Sequence, residues 1–206
     1  MQLEEALRQV SDIRRQMARS EMFRGYRSIT VGFSGVVGLG AAMIQPLWAP
    51  SPEIHLGRYL GLWVVVAGLS LAAAGTEVYW RAQQSGSRLA RQQTLLAVEH
   101  FLPSIAVGAL LTLCIYLGAP QVGWILPGMW SLVFGLGICA SCRLLPGQVL
   151  CVAFYYIACG SVWLLLGQGE NALSPWQMAI SFGGGQLLGA VVLYWTLERS
   201  DVSSED

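Results

Sequence analysis

Six long apolar stretches, each set off from the next by a short polar break, dominate the chain. They run over residues 29–48, 59–80, 94–117, 123–141, 148–166 and 176–197. Each holds about twenty residues, enough to cross a hydrocarbon core of ~30 Å at ~1.5 Å of rise per residue. The breaks are rich in residues that end helices. Pro46 and Pro50 close the first stretch, a tight uncharged turn over 118–122 separates the third from the fourth, and Pro146 with Gly147 separates the fourth from the fifth. Small residues recur inside the stretches: Gly32, Ser34, Gly35, Gly38 and Gly40 in the first, Gly68, Ala72 and Thr76 four apart in the second, and Gly183, Gly184, Gly185 and Gly189 in the sixth. Gly185 and Gly189 form a GxxxG pair, and such residues let helix backbones approach closely. The pattern predicts an all-α membrane protein, a six-transmembrane-helix bundle.

A different periodicity precedes the first span. Leu3, Leu7, Val10, Ile13 and Met17 recur at helical spacing between Glu4, Glu5, Arg8, Asp12, Arg15 and Arg19, which predicts an amphipathic helix over 2–24. Three placements stay open for it: on the membrane surface, against the protein's own cytoplasmic face, or paired with another chain. The chain thus divides into a cytoplasmic amphipathic helix (1–27), a six-helix transmembrane domain (28–198) and a polar, acidic, disordered tail (199–206). Eleven arginines flank the spans on the side of the termini, and Arg58 alone lies on the other. That asymmetry predicts that both termini lie in the cytoplasm. Trp48, Trp124 and Trp176 fall at one membrane boundary and Trp80 and Trp195 at the other, as interfacial anchors do.

Composition agrees. Charged residues make up 12% of the chain, where a soluble domain carries about 25%. The net charge is zero, which argues against nucleic acid as a partner. The five cysteines, Cys114, Cys139, Cys142, Cys151 and Cys159, lie in or beside apolar segments rather than in outer loops, so no secreted disulfide framework is expected. The charged, amphipathic N-terminus does not read as a signal peptide.

Candidate chemistry gathers on one helical hairpin, 61–116, whose two spans flank a basic loop over 81–93. Glu77 lies one turn inside Trp80, with Ser70, Ala73 and Ala74 on its face and Arg81 at i+4 as an ion-pair partner. Glu99 and His100 lie inside the next span, with Glu99 ~12 Å beyond Arg91 at ~1.5 Å per residue. Glu99 has no basic residue three or four positions away, and Pro103 at i+4 has no N–H to give its carbonyl. Ionisable groups at such depth are candidate proton or ligand sites. The same residues also serve as packing devices. Adjacent Glu and His do not have metal-ligand spacing, and neither a metal nor a cofactor is expected. Cys139-Ala-Ser-Cys142 lacks a second CxxC and a redox-fold context, and reads as structural. Glu53 and His55 read as an exposed polar loop. The glycines of the sixth span follow no strand and form no phosphate cradle, and no G-x-S-x-G elbow is present.

Three stretches carry a resemblance: Asp12-Ile-Arg-Arg-Gln-Met-Ala-Arg through Phe23-Arg-Gly-Tyr26, Ser141-Cys-Arg-Leu-Leu-Pro146, and Leu193-Tyr-Trp-Thr-Leu-Glu-Arg199. Together they resemble an uncharacterised family of small bacterial six-helix integral membrane proteins. The resemblance implies six spans in a bacterial inner (cytoplasmic) membrane and supplies no catalytic residue. The expected role is non-enzymatic: binding a small polar or lipidic ligand, or a partner protein, in transport, sensing or complex assembly. Residues 2–24 would meet the partner, and a second copy of the chain stands open as one. The alternative is a membrane-embedded enzyme or proton-coupled transporter using Glu77, Glu99 and His100.

Overall fold

The structure is a computed structural model and describes residues 28–84, 88–142 and 147–198. The expected amphipathic helix over 2–24 and the tail over 199–206 lie outside the described residues. Among the described residues there is no strand, and six helices are long and apolar enough to cross a membrane. They are α1 (Ser28–Trp48), α2 (Leu56–Gln84), α3 (Arg88–Gly118), α4 (Leu126–Ser141, led in by a 3₁₀ turn Pro120–Ile125), α5 (Val149–Leu166) and α6 (175–198). The last alternates between α-helical and π-helical turns: Pro175–Met178 and Gly185–Leu193 are α, whereas Ala179–Gly184 and Tyr194–Glu198 are π.

One boundary differs from the expectation. The basic loop over 81–93 is mostly helix, because α2 continues to Gln84 and α3 already starts at Arg88. Ala, Gln, Arg and Leu dominate there, and all are good helix formers that propagate a helix once a span has nucleated it.

The helices pack in an open ring ordered α2, α1, α6, α5, α4, α3, and the contact between α2 and α3 that would close it is sparse. Small residues set the tight seams. On α1, Gly35 and Gly38 lie against the backbone of Gly183, and a Cβ on Gly35 would stand 3.1 Å from the Gly183 carbonyl oxygen. Between α4 and α5, Gly128 and Gly160 face each other, and a Cβ on Gly160 would stand 2.7 Å from the Gly128 carbonyl oxygen. Phe134 anchors the middle of the bundle, with Phe101, Tyr156 and Phe182 at ring-centroid distances of 5.1, 4.7 and 5.5 Å. Those rings come from α3, α4, α5 and α6, so one aromatic cluster ties four spans together.

The hairpin of α2 and α3 is therefore the loosest part of the ring rather than its centre. No residue from Glu99 to Gly118 is buried. Trp48, Trp80, Trp176 and Trp195 are all exposed at the ends of their spans, where a lipid headgroup region would meet them.

Candidate functional site

The hairpin's ionisable residues do not come together. On α2 the covered stripe runs Leu56, Tyr59, Leu60, Trp63, Val66, Ser70, Ala73, Ala74 and Glu77, at spacings of three and four. Glu77 is half-buried on that stripe and has a partner. On α3 the half-buried stripe is Phe101, Ser104, Ile105, Gly108, Leu111, Thr112 and Ile115. Counted at ~100° per residue, Glu99 lies about 180° around the helix from that stripe. It is exposed, and among the described residues it forms no hydrogen bond or ion pair. His100 is also exposed, with Nδ1 2.6 Å from the Leu96 carbonyl oxygen. A carbonyl only accepts, so the Nδ1 N–H is the donor in this contact. Glu77 thus faces the bundle and Glu99 faces away from it. Because Glu99 bears no load, Glu99→Gln is expected to shift unfolding in detergent by no more than about 0.5 kcal/mol, as for an exposed surface site. A larger loss would mean that the carboxylate has a structural partner.

The other sequence candidates resolve simply. Glu53 and His55 are exposed. All five cysteines are free thiols, and among the described residues no three His, Cys, Asp or Glu side chains gather as a metal site.

A polar centre that the sequence does not advertise lies at the opposite end of the bundle from the arginine-rich ends. Gln45, in the last turn of α1, is 1% exposed. Its Nε2 donates to the Leu173 carbonyl at 2.8 Å, and its Oε1 accepts the Trp63 indole N–H at 3.1 Å. Gln177, in the first turn of α6, is equally buried and donates from Nε2 to the Asn171 carbonyl at 2.8 Å. Both glutamines therefore clip the loop between α5 and α6, and that loop drives Leu173 into the core beside Tyr59, Trp63 and Met178. Leu173 adopts φ of 53°, a left-handed conformation that costs a branched residue about 1–3 kcal/mol and persists only where its surroundings impose it.

Among the described residues, two polar atoms in this region have no partner. The Tyr59 hydroxyl and the Gln177 Oε1 are both fully buried without a hydrogen bond. Tyr59 is walled by Trp63 and Trp130, at ring-centroid distances of 6.4 and 6.3 Å. Trp130, by contrast, is satisfied, donating to Thr112 Oγ1 at 2.8 Å. An unmatched buried polar group costs about 1–3 kcal/mol, and water in a bilayer core is too scarce to offset that from outside. Among the described residues no charged side chain is buried. The centre is thus neutral: one phenol O–H that can donate or accept, and one amide oxygen that can only accept.

Gln45 and Gln177 fall at the last and first turns of apolar runs, where a polar residue reads as the edge of a loop. Gln45 beside Pro46, inside a run that otherwise carries no polar side chain larger than Ser or Thr, was the available signal. Comparisons with protein-family models, with curated proteins and with solved structures find no match for the chain.

Proposed function

We propose that the chain is a non-enzymatic protein of a bacterial inner membrane, with both termini in the cytoplasm, that binds a small uncharged ligand in its outer half. The ligand is polar or is the headgroup of a lipidic molecule, and the role is transport or sensing. The observation that carries this reading is the pair of buried, unmatched groups, Tyr59 Oη and Gln177 Oε1, beside the loop that Gln45 and Gln177 hold down. A neutral molecule offering both a donor and an acceptor would satisfy them. A charged one would find no counter-charge in that interior. The arginine distribution supports the orientation.

The test is purification of the whole chain in mild detergent, with mass spectrometry of what accompanies it. Wild type should carry an uncharged compound that is depleted at least tenfold in Tyr59→Phe and Gln177→Leu. Tyr59→Phe should be as stable as wild type or more so, because it removes an unmatched polar atom, whereas Gln177→Leu also loses its bond to the Asn171 carbonyl and should give up about 0.5–1.5 kcal/mol. Equal content in all three chains would defeat the reading.

A second reading, complex assembly, rests on a different observation. The outward face of α2 carries Gly61, Gly68, Ala72 and Gly75, all exposed, and a Cβ on any of the three glycines would meet nothing within 4 Å. Lipid tails do not select such a groove, whereas a partner helix or a second copy of the chain does. Gly68→Leu and Gly75→Leu are expected to leave the isolated chain's unfolding within about 0.5 kcal/mol of wild type while abolishing any co-purifying protein or dimer. Retention of that partner at the wild-type level would remove this reading. The alternative of an enzyme or proton-coupled transporter using Glu77, Glu99 and His100 draws less support, since Glu77 faces the bundle from α2 whereas Glu99 and His100 are exposed on α3.

A further inference from the structure

The seam between α2 and α3 has a closed end and an open side. At the outer surface it is shut. A Cβ on Gly57 would stand 3.2 Å from the Tyr116 hydroxyl oxygen, and Leu56 lies against Gly123 of the turn that leads into α4. Further into the membrane the cover thins. The α2 stripe is buried at Tyr59, Leu60 and Trp63, but only half-buried at Val66, Ser70, Ala73 and Ala74. On the other side, α3 touches α4 at two levels: Phe101 and Ser104 lie against Gly137, and Thr112 accepts the Trp130 indole N–H. Gly108 stands between those levels. It is half-buried on the inward stripe, yet a Cβ there would meet nothing within 4 Å. The two half-covered stripes leave a groove of small and apolar residues, open sideways to the bilayer and closed toward the outer surface.

We propose that this groove holds a lipid, with an uncharged headgroup at the Tyr59 hydroxyl and its chain lying past Gly108. The proposal rests on the reading of Tyr59 and Gln177 as a ligand site and names the class of that ligand. The length suits a chain. From Tyr59 to Ala73 the α2 wall runs ~21 Å at ~1.5 Å per residue, whereas one leaflet supplies about half of a ~30 Å hydrocarbon core. Tyr59 is the fourth residue of α2, so its level lies only ~5 Å inside the outer end of that helix.

A chain entering the groove exchanges one apolar surrounding for another, so the groove alone selects no particular lipid. Selection falls to the headgroup. The Tyr59 hydroxyl is buried without a partner, and a headgroup that donates or accepts would supply the one that hydrocarbon lacks. Trp130 lies nearly parallel to the Tyr59 ring, at 7° and 6.3 Å between centroids, and its bond to Thr112 ties this wall to α3. Among the described residues no charged side chain is buried, so a charged headgroup would stay at the surface.

Photolabelling of the full chain in phosphatidylcholine nanodiscs tests the proposal. The probe is a trace of diacylglycerol, which has an uncharged hydroxyl headgroup, carrying a diazirine in mid-chain. Label on residues 104–112 should fall about tenfold under excess unlabelled diacylglycerol, and should not respond to phosphatidylglycerol, which is anionic. Label on the exposed α5 residues Phe154 and Leu165 should respond to neither. Tyr59→Phe should remove the competable label about tenfold, as one lost hydrogen bond does. Gly108→Trp fills the groove and should remove it too, while unfolding with wild type. Uncompeted label on 104–112, or equal competition by both lipids, overturns the proposal. If mass spectrometry finds a compound lost from Tyr59→Phe but retained by Gly108→Trp, the ligand site stands and the lipid is wrong. If Gly108→Trp removes the label and Tyr59→Phe does not, the Tyr59 site fails and the proposal with it. Should Gly108→Trp not fold, the competition in the wild-type chain decides.

Discussion

A single methyl group added at Gly160 is expected to destabilise the bundle by about 2–3 kcal/mol, at the upper end of what overpacking costs. The new Cβ would lie 2.7 Å from the Gly128 carbonyl oxygen, 2.8 Å from Leu132 Cγ and 2.9 Å from the Leu132 backbone nitrogen. Two of these three atoms are backbone of α4, so no rotamer change relieves the clash and the two helices must separate. Alanine in a helix interior gains roughly 0.5–1 kcal/mol over glycine, but that gain is smaller than the clash and does not reverse it. Gly108→Ala supplies the control. It receives the same helix-propensity gain, and its Cβ meets nothing within 4 Å, so it should be neutral or slightly stabilising. Unfolding in a denaturing-detergent titration, followed by circular dichroism, gives both values. Equal effects for the two variants would mean that α4 and α5 do not interlock at Gly128 and Gly160.

Replacing Gln45 with leucine is expected to cost about 2–5 kcal/mol, because it orphans two buried groups at about 1–3 kcal/mol each. The Trp63 indole N–H loses its acceptor, and the Leu173 carbonyl loses its donor. The second loss matters further, since the Gln45 amide is one of the clips that hold Leu173 in its left-handed conformation. The loop over 167–174 should then open, and limited proteolysis should cut it in Gln45→Leu and not in wild type. A double-mutant cycle with Trp63→Phe separates the two parts. The Gln45–Trp63 coupling should come out near 1–2 kcal/mol, as for hydrogen bonds between spans, with the remainder assigned to the loop. If Gln45→Leu unfolds at the wild-type point and resists the protease, the glutamine does not organise this end of the molecule.

Glu77, Glu99 and His100 drew attention because a charge within an apolar run is rare and expensive. Sequence spacing placed Glu77 on the same face as Ser70, Ala73 and Ala74, and that face is the covered one. For Glu99 no comparable argument existed. Every face of α3 is apolar, and only the packing of Phe101 and Ser104 against Gly137 of α4 reveals which face is inward. The glycines were equally ambiguous. Gly68 and Gly185 look alike in sequence, yet one faces open space and the other lies beneath Tyr156.

The linear order of residues by itself determined the six spans. A backbone in hydrocarbon must satisfy its own hydrogen bonds, so twenty apolar residues in a row leave no choice but helix. Tertiary structure alone decided the rest: the open seam between α2 and α3, the outward turn of Glu99, the glutamine clips on Leu173 and the π-turns of α6. Lipid is as apolar as leucine, so hydropathy cannot say which side of such a helix turns inward. That is settled by small-residue fit and by which few polar groups can reach one another across the bundle.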